Sequence, residues 1–300
     1  MGPLVHAHLI LNPAAGRGAA ARALDPIARE FRHQGWAVDL ARTAGPGHGT
    51  TLAAEAVRAG ATRVVAVDGD GTVHEVANGL LASGGNALLG VIPFGTGNDF
   101  AKLVGLAGEP PLRAVRRLVT ARSATFDAGH VLGEHFVNSV GFGFGAEVVR
   151  RRNAMPGLTG FWSYFVPVFR TFAAFRPPRF DVTAAGFHET GYMMMVEVCN
   201  GTTAGGSYRF APRALPGDGQ LDVCLVRRVS LPRFLLAVPR VMRGTHGSMR
   251  EVALFPTREI TVRSLDGPLV VHLDGELREP TTHAATVRVE PGRLRVLVAA

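Results

Sequence analysis

Lysine is almost missing from this chain: Lys102 is the only one, so the formal charge of +8 is nearly all arginine. An Ala- and Gly-rich composition with Arg in place of Lys is what a GC-rich genome encodes, and this accounts for much of the basicity. The remainder fits a polyphosphate ligand, an anionic bilayer surface or nucleic acid, and charge alone does not rank them. Helix-turn-helix spacing, zinc-ligand spacing and basic-aromatic alternation are absent, so no nucleic-acid partner is expected. Cysteine is scarce as well. Cys199 and Cys224 each sit in an apolar, strand-like run and read as reduced core residues of a cytoplasmic protein. No run of eighteen apolar residues occurs, and the opening MGPLVHAHLILNP has no cationic segment ahead of its apolar stretch. Neither a membrane-spanning helix nor a signal peptide is expected. His6, His8 and His246 show no metal spacing with one another, and no Ser-His-Asp or Cys-His set suggests a covalent nucleophile.

What is present is a chain of 300 residues, 47% hydrophobic and 19% charged, long enough that two domains are the expectation. The first part alternates short apolar runs with helical periodicity four times. The runs at 6–12, 36–43, 64–67 and 88–92 each end in a Gly-rich or polar loop that leads into a helix. Such alternation predicts a Rossmann-like α/β domain with a parallel sheet, its ligand at the carboxyl ends of the strands. After a basic helix near 112–121 the pattern changes to closely spaced apolar runs with hairpin-like turns such as Pro291-Gly292. That predicts a β-rich antiparallel sandwich, interrupted by helices near 161–175 and 231–242. The expected boundary separates residues 1–123 from 124–300.

Two loops carry the chemistry of the first part, Asp68-Gly69-Asp70-Gly71-Thr72 and Pro93-Phe94-Gly95-Thr96-Gly97-Asn98-Asp99. Glycine turns at helix starts hold phosphate through unpaired N–H groups and the helix dipole, and two side by side suit a polyphosphate. Gly69, Gly71, Gly95, Thr96 and Asn98 form the two walls. Asp70 inside such a turn would repel the ligand unless a cation bridged them, which assigns it to Mg2+-ATP. Thr72 is a helix N-cap or a phosphate donor, and Asn78 either faces the nucleotide or is a solvated helix position.

DGDGT followed by PFGTGNDFA resembles the paired signature of the diacylglycerol kinase and sphingosine kinase superfamily of lipid kinases. One departure is Asp68, where the family usually has glycine and where a side chain is expected to narrow the phosphate approach. The resemblance implies an NAD kinase/diacylglycerol kinase-like fold, ATP and Mg2+ as cofactors, and Asn12, Gly16 and Arg17 as an Asn-Pro-x-x-Gly nucleotide loop, with Thr43 and His48 in the next. It implies a metal-organising role for Asp127, with Arg17 as a possible pair. Val271-His272-Leu273-Asp274-Gly275-Glu276 resembles the family's Asp-Gly-Glu motif, making Asp274 the general base and Glu276 its companion, against the rival reading of a plain Asp-Gly hairpin. Asp218, with the carbonyls of Leu215 and Gln220, resembles a structural Mg2+ site. A lipid substrate is implied, diacylglycerol first. A sphingoid base, phosphatidylglycerol or NAD are the alternatives, and a non-catalytic lipid- or nucleotide-binding protein is the rival class. Arg150, Arg151 and Arg152 beside the aromatic stretch at 161–165 suggest peripheral contact with an anionic membrane surface, at the inner face. Oligomeric state is left open, a homodimer being one option.

Overall fold

The computed structural model describes residues 5–84, 86–155 and 162–299. The chain divides into two compact units, Met1–Phe126 with Gly292–Ala300, and Asp127–Pro291. The second stretch of the first unit, Gly292–Ala300, is one that a single break at 123/124 leaves out.

In the first unit the order is β1 (Val5–Leu11), α1 (Ala15–His33), β2 (Trp36–Arg42), α2 (His48–Arg58), β3 (Arg63–Asp68), α3 (Asp70–Ala82), β4 (Leu88–Pro93), α4 (Asp99–Leu103) and α5 (Pro111–Val119). The strands pair in parallel as β2-β1-β3-β4. All of β4 and all but the first residue of β3 are buried, the pattern of central strands covered on both faces. Helix α1 packs against α5 and α2 against α3. Parallel pairing brings the carboxyl ends of all four strands to one side, where the loops at 12–18, 43–47, 69 and 94–98 gather.

Strand β5 (Arg122–Val131) leads into the second unit. There follow β6 (Glu134–Phe136), β7 (Ser139–Gly143), α6 (Phe144–Asn153), α7 (Trp162–Ala174), β8 (Arg179–Ala184), β9 (Phe187–Cys199), β10 (Leu221–Arg227), α8 (Leu231–Arg243), β11 (Val252–Thr257), β12 (Glu259–Ser264), β13 (Val271–Leu273), β14 (Glu276–Arg278) and β15 (Ala284–Val298). Pairing here is antiparallel, in the order β14-β13-β7-β9-β8-β12-β15, with β10 and β11 branching from β9. Phe136, Phe142, Val196, Val223, Ile260 and Val271 fill its core. A second cluster joins Phe144, Met194 and Phe234 with Phe169 and Phe172 of α7 and with Phe175 just beyond it. Phe172 stacks on Phe234 with centroids 4.0 Å apart.

The expected fold class is what is found: a parallel α/β unit followed by an antiparallel β-rich one. Two local expectations fail. Pro291-Gly292 is not a hairpin turn, because β15 runs through it as one strand. Ala284–Arg288 pair antiparallel with β12, whereas Val296 pairs in parallel with Leu89 of β4. Proline has no N–H for the ladder and Gly292 adopts φ 64°, and it is around this point that the strand changes partners. Helix α6 was also not anticipated, its start being masked by the dense glycines at 141–145.

Candidate active site

The first-unit loops are bonded to one another. Gly69 and Gly95 touch backbone to backbone: a Cβ on Gly95 would lie 2.5 Å from the Gly69 Cα, and one on Gly69 would lie 2.8 Å from the Gly95 Cα. Only glycine fits at either position, and the cradle so formed is lined by main chain. The Asp70 Oδ1 accepts the N–H of Phe100 at 3.0 Å, linking the start of α3 to the start of α4. Asn98, in a left-handed conformation, closes its own turn by accepting from the Gly95 N–H at 3.0 Å and donating to the Gly95 carbonyl at 2.7 Å. A Cβ on Gly16 would lie 3.3 Å from the Phe94 carbonyl, so the first loop abuts the second glycine turn. Thr96 is exposed at the tip, and Gly71 lies in the first turn of α3. The side chain of Arg17 lies outside the described residues.

Asp68 does not narrow the cradle. It ends β3, is buried, and turns its Oδ2 to accept from Asn12 Nδ2 at 2.9 Å and from the Thr72 hydroxyl at 2.5 Å. The close approach belongs to Gly69, one residue on. Thr72 is therefore not the N-cap, which is Gly69. Asn78 donates to the His74 carbonyl one turn back at 3.0 Å, a bond within its own helix. Thr43 is buried, its N–H donating to the Leu11 carbonyl, and His48 Nδ1 accepts from the Ala44 N–H. Sequence reasoning missed Glu75. Its carboxylate accepts the N–H groups of Gly47 and Gly49 at 2.7 and 2.8 Å and fixes the second loop against α3.

In the second unit, Asp274 is buried at the β13–β14 turn with φ 50°. Its Oδ1 accepts the N–H groups of Asn138 and Ser139 at 2.8 and 2.9 Å, and its Oδ2 accepts that of Val137 at 2.9 Å. Three backbone donors fix the direction of the carboxylate. Glu276 is half-buried, and among the described residues no hydrogen bond or ion pair holds it. The plain-hairpin and functional readings coincide here, since β13 and β14 do pair across this turn. Beneath it lies a pair that sequence reasoning also missed. Glu197, Gly141 and His272 are opposite one another on β9, β7 and β13, with His272 Nε2 3.4 Å from Glu197 Oε2 and both side chains buried. A Cβ on Gly141 would lie 2.2 and 2.3 Å from those two atoms. Neither Glu197 oxygen has a hydrogen-bond partner among the described residues, so the contact is an ion pair without hydrogen-bond geometry. Burial, the largest influence, pulls the His272 pKa down. The charges of Glu197 and Asp274 outweigh it, and the net direction is up.

Asp127 has a second set of partners besides the metal and phosphate that the resemblance implies for it. It is buried, and its Oδ2 accepts the Gly219 N–H at 2.7 Å while its own N–H donates to the Pro216 carbonyl. Its carboxylate thus secures the 216–219 turn. Within that turn Asp218 Oδ1 accepts the Gln220 N–H at 3.0 Å, and the Leu215 carbonyl accepts the Gly217 N–H at 2.8 Å. Asp222 has its pKa raised by burial and then by the charge of Asp218. A carboxylate and main-chain carbonyls in one turn are an oxygen-only donor set, the type that a hard cation such as Mg2+ takes.

Other expectations shift. Arg150 and Arg151 are spent on Glu147, at 2.6 and 3.3 Å, and Arg150 also pairs with Glu279. The side chains at 161–165 lie outside the described residues, while Phe169, Phe172 and Phe175 are half-buried and pack against the second core cluster. Cys224 and His246 do meet, Sγ to Nε2 at 3.5 Å, but burial pushes the thiol up and the imidazole down. Both are neutral, the opposite of an activated nucleophile. His6 and His8 converge on Asp39, contrary to the expectation that they share no metal spacing. Alternation of a strand was the overlooked signal: residues two apart share a face.

Comparison with known proteins bears on this arrangement. Residues 6–131 match the model described as diacylglycerol kinase catalytic domain, and residues 138–298 match the YegS C-terminal NAD kinase beta sandwich-like domain. A protein of Pseudomonas fluorescens named "Probable lipid kinase YegS-like" is 32% identical over 270 residues, covering 88% of this chain and 87% of that one. The chain belongs to the diacylglycerol kinase/YegS family of lipid kinases. The diacylglycerol kinase of Bacillus subtilis is 27% identical over 271 residues, covering 90% and 89%. A solved structure titled a diacylglycerol kinase, from Bacillus anthracis, superposes with a TM-score of 0.74 at 18% identity, covering 99% and 98%, a likeness of fold. Membership makes the chain a kinase with an alcohol acceptor on a lipid substrate and a nucleotide donor. Among the described residues no helix of this family member is long and apolar enough to cross a membrane.

Proposed function

We propose that the protein is an ATP- and Mg2+-dependent lipid kinase that phosphorylates diacylglycerol to phosphatidic acid. The observation that carries the donor half is the Gly69–Gly95 contact. A main-chain cradle at the ends of β3 and β4, beside the starts of α3 and α4, offers N–H groups and no side-chain bulk to a polyphosphate. Gly16, Asn12, Thr43, Thr96 and Asn78 complete the nucleotide surface in this reading, together with Arg17. Asp70 supplies an oxygen at the mouth of the cradle and would hold Mg2+, which spreads the charge of the phosphates when bound. Asp218, with the Leu215 and Gln220 carbonyls, would hold a second, structural Mg2+.

In the acceptor half, Asp274 takes the proton of the lipid hydroxyl. As the hydroxyl oxygen bonds to the γ-phosphorus, the bridging P–O bond breaks, ADP leaves, and the proton passes to the carboxylate. The three N–H donors hold Asp274 in one orientation, which is what positioning catalysis requires. A second reading, Glu276 as the base, is favoured by the absence of any partner on its carboxylate among the described residues. Domain assignment follows the same division, the first domain for the nucleotide and the second for the lipid. Contact with an anionic bilayer is proposed through α8, which exposes Leu231, Leu235 and Leu236 and carries Arg240 and Arg243 in its last turn. Flotation with anionic liposomes at low salt tests it, and a protein that stays at the bottom of the gradient refutes it.

The deciding assay is transfer of label from γ-labelled ATP to purified diacylglycerol, a sphingoid base, phosphatidylglycerol and NAD side by side. Label in diacylglycerol, dependent on Mg2+, is the expected result. Label in another acceptor alone refutes the substrate, and label in none refutes the reading.

A further inference from the structure

Strands β1 and β2 carry three ligand-type side chains that the nucleotide loops do not use. His6 and His8 lie two apart on β1 and share one face. Asp39 on β2 is in register with His8, and paired residues of neighbouring strands point to the same side of a sheet. His6 Nε2 is 3.1 Å and His8 Nε2 3.4 Å from one and the same oxygen, Asp39 Oδ2. One ligand atom from each residue lies within 4.8 Å of the other two. The rings stand at 87° with centroids 5.1 Å apart, so they approach edge to face without stacking. Around a tetrahedral ion with bonds of about 2.0–2.1 Å, adjacent donor atoms are about 3.3 Å apart. Both nitrogen–oxygen separations match that edge length.

We propose that His6, His8 and Asp39 bind a divalent transition-metal ion of borderline softness, with Zn2+ as the reference case. Two imidazoles and one carboxylate are a nitrogen-rich set that prefers such ions to Mg2+ or Ca2+. Burial holds His8 below its ordinary pKa and so favours the neutral ligand form, outweighing the opposing pull of Asp39. Side-chain exposures of 42% for His6 and 60% for Asp39 leave the outward coordination position to water. His8 precedes Asn12 by four residues, on the order of 13 Å along an extended strand, so this ion would sit apart from the nucleotide loops. It would clamp β2 to β1, the two strands that lead into Thr43 and Asn12.

The test uses the full chain stripped of metal and titrated with Co2+, read by its visible d–d absorption, then back-titrated with Zn2+. The expected result is one Co2+ per chain with the spectrum of a four- or five-coordinate ion, displaced by Zn2+. Affinity should fall at least tenfold in His8→Asn and in Asp39→Asn, a loss of the size that removing even an outer-shell partner produces. Zn2+ should raise the Tm of the wild type and leave that of His6→Asn/His8→Asn unchanged. An unaltered Co2+ spectrum in the double variant, or no spectrum in the wild type, overturns the assignment. Asp39→Asn, at an exposed position, serves if the double variant does not fold. Lipid kinase activity with Mg2+ should be the same in all of them, so this proposal and the kinase reading fail separately.

Discussion

Asp68 and Asp274 are both buried carboxylates at the end of a strand, yet they are held by different kinds of partner. Asp68 is gripped by the side chains of Asn12 and Thr72. Asp274 is gripped by the main-chain N–H groups of residues 137–139. A side-chain clasp can be re-formed by other side chains or replaced by none, because the loop around it keeps its shape through the Gly69–Gly95 contact. Donors of a main-chain clasp cannot be mutated away, and their cost falls on the acid if it changes. The donor half of the protein should therefore tolerate substitution at Asp68 and fail at its glycines. The acceptor half should fail at its acid.

The largest effect is expected from Asp274→Asn. It removes the proton acceptor and turns an amide N–H2 toward a backbone N–H. Turnover should fall by about 10²–10⁴, the usual worth of general-base catalysis, with nucleotide affinity retained by calorimetry. If Asp274→Asn turns over normally while Glu276→Gln does not, the base is Glu276. Next comes Gly95→Ala, whose methyl would collide with the Gly69 backbone. Loss of measurable ATP binding and destabilisation of about 1–3 kcal/mol are expected in calorimetry and thermal melts. Normal affinity would break the assignment of the cradle.

A third test concerns His272. Its pKa is raised by folding from 6.5, so the stability it contributes is complete below that value and is lost as pH rises through the folded-state pKa. Wild-type Tm should fall as pH is taken upward from 6.5. In Glu197→Gln that slope should flatten, because the charge that raises His272 is gone. A slope unchanged in the variant would assign the titration elsewhere. The smallest effect should be Asp68→Gly, which restores the residue usual in the family. It removes two hydrogen bonds worth about 1 kcal/mol each and should leave ATP affinity within a few fold. A large loss of affinity would make Asp68 part of the nucleotide site itself.

The same contrast explains what could be read in advance. The strand–helix alternation, both glycine turns and the Asp-Gly-Glu turn are local patterns, and the parallel unit followed by an antiparallel one came from them directly. Asp68 was misjudged because its partners stand 56 positions upstream and four downstream, and no spacing rule joins them. The resemblance implies a metal-organising role for Asp127, but its bond to a turn some ninety residues later is not signalled by any local pattern. Glu197 and His272 meet only because a glycine on the strand between them leaves the space. Register across three strands is not written in any one of them.

Strand β15 bears on how the protein is made. The chain leaves its first unit after Phe126 and re-enters at Gly292, and the flank of β4 away from β3 is covered only when Val296 reaches Leu89. At roughly 5–20 residues per second on the ribosome, that flank waits about 10–40 s with its hydrogen-bonding edge open. A nascent parallel sheet in that state is a target for chaperones and for pairing with a neighbouring chain. Arrival of β15, not completion of the nucleotide loops, sets the moment at which the first unit can close.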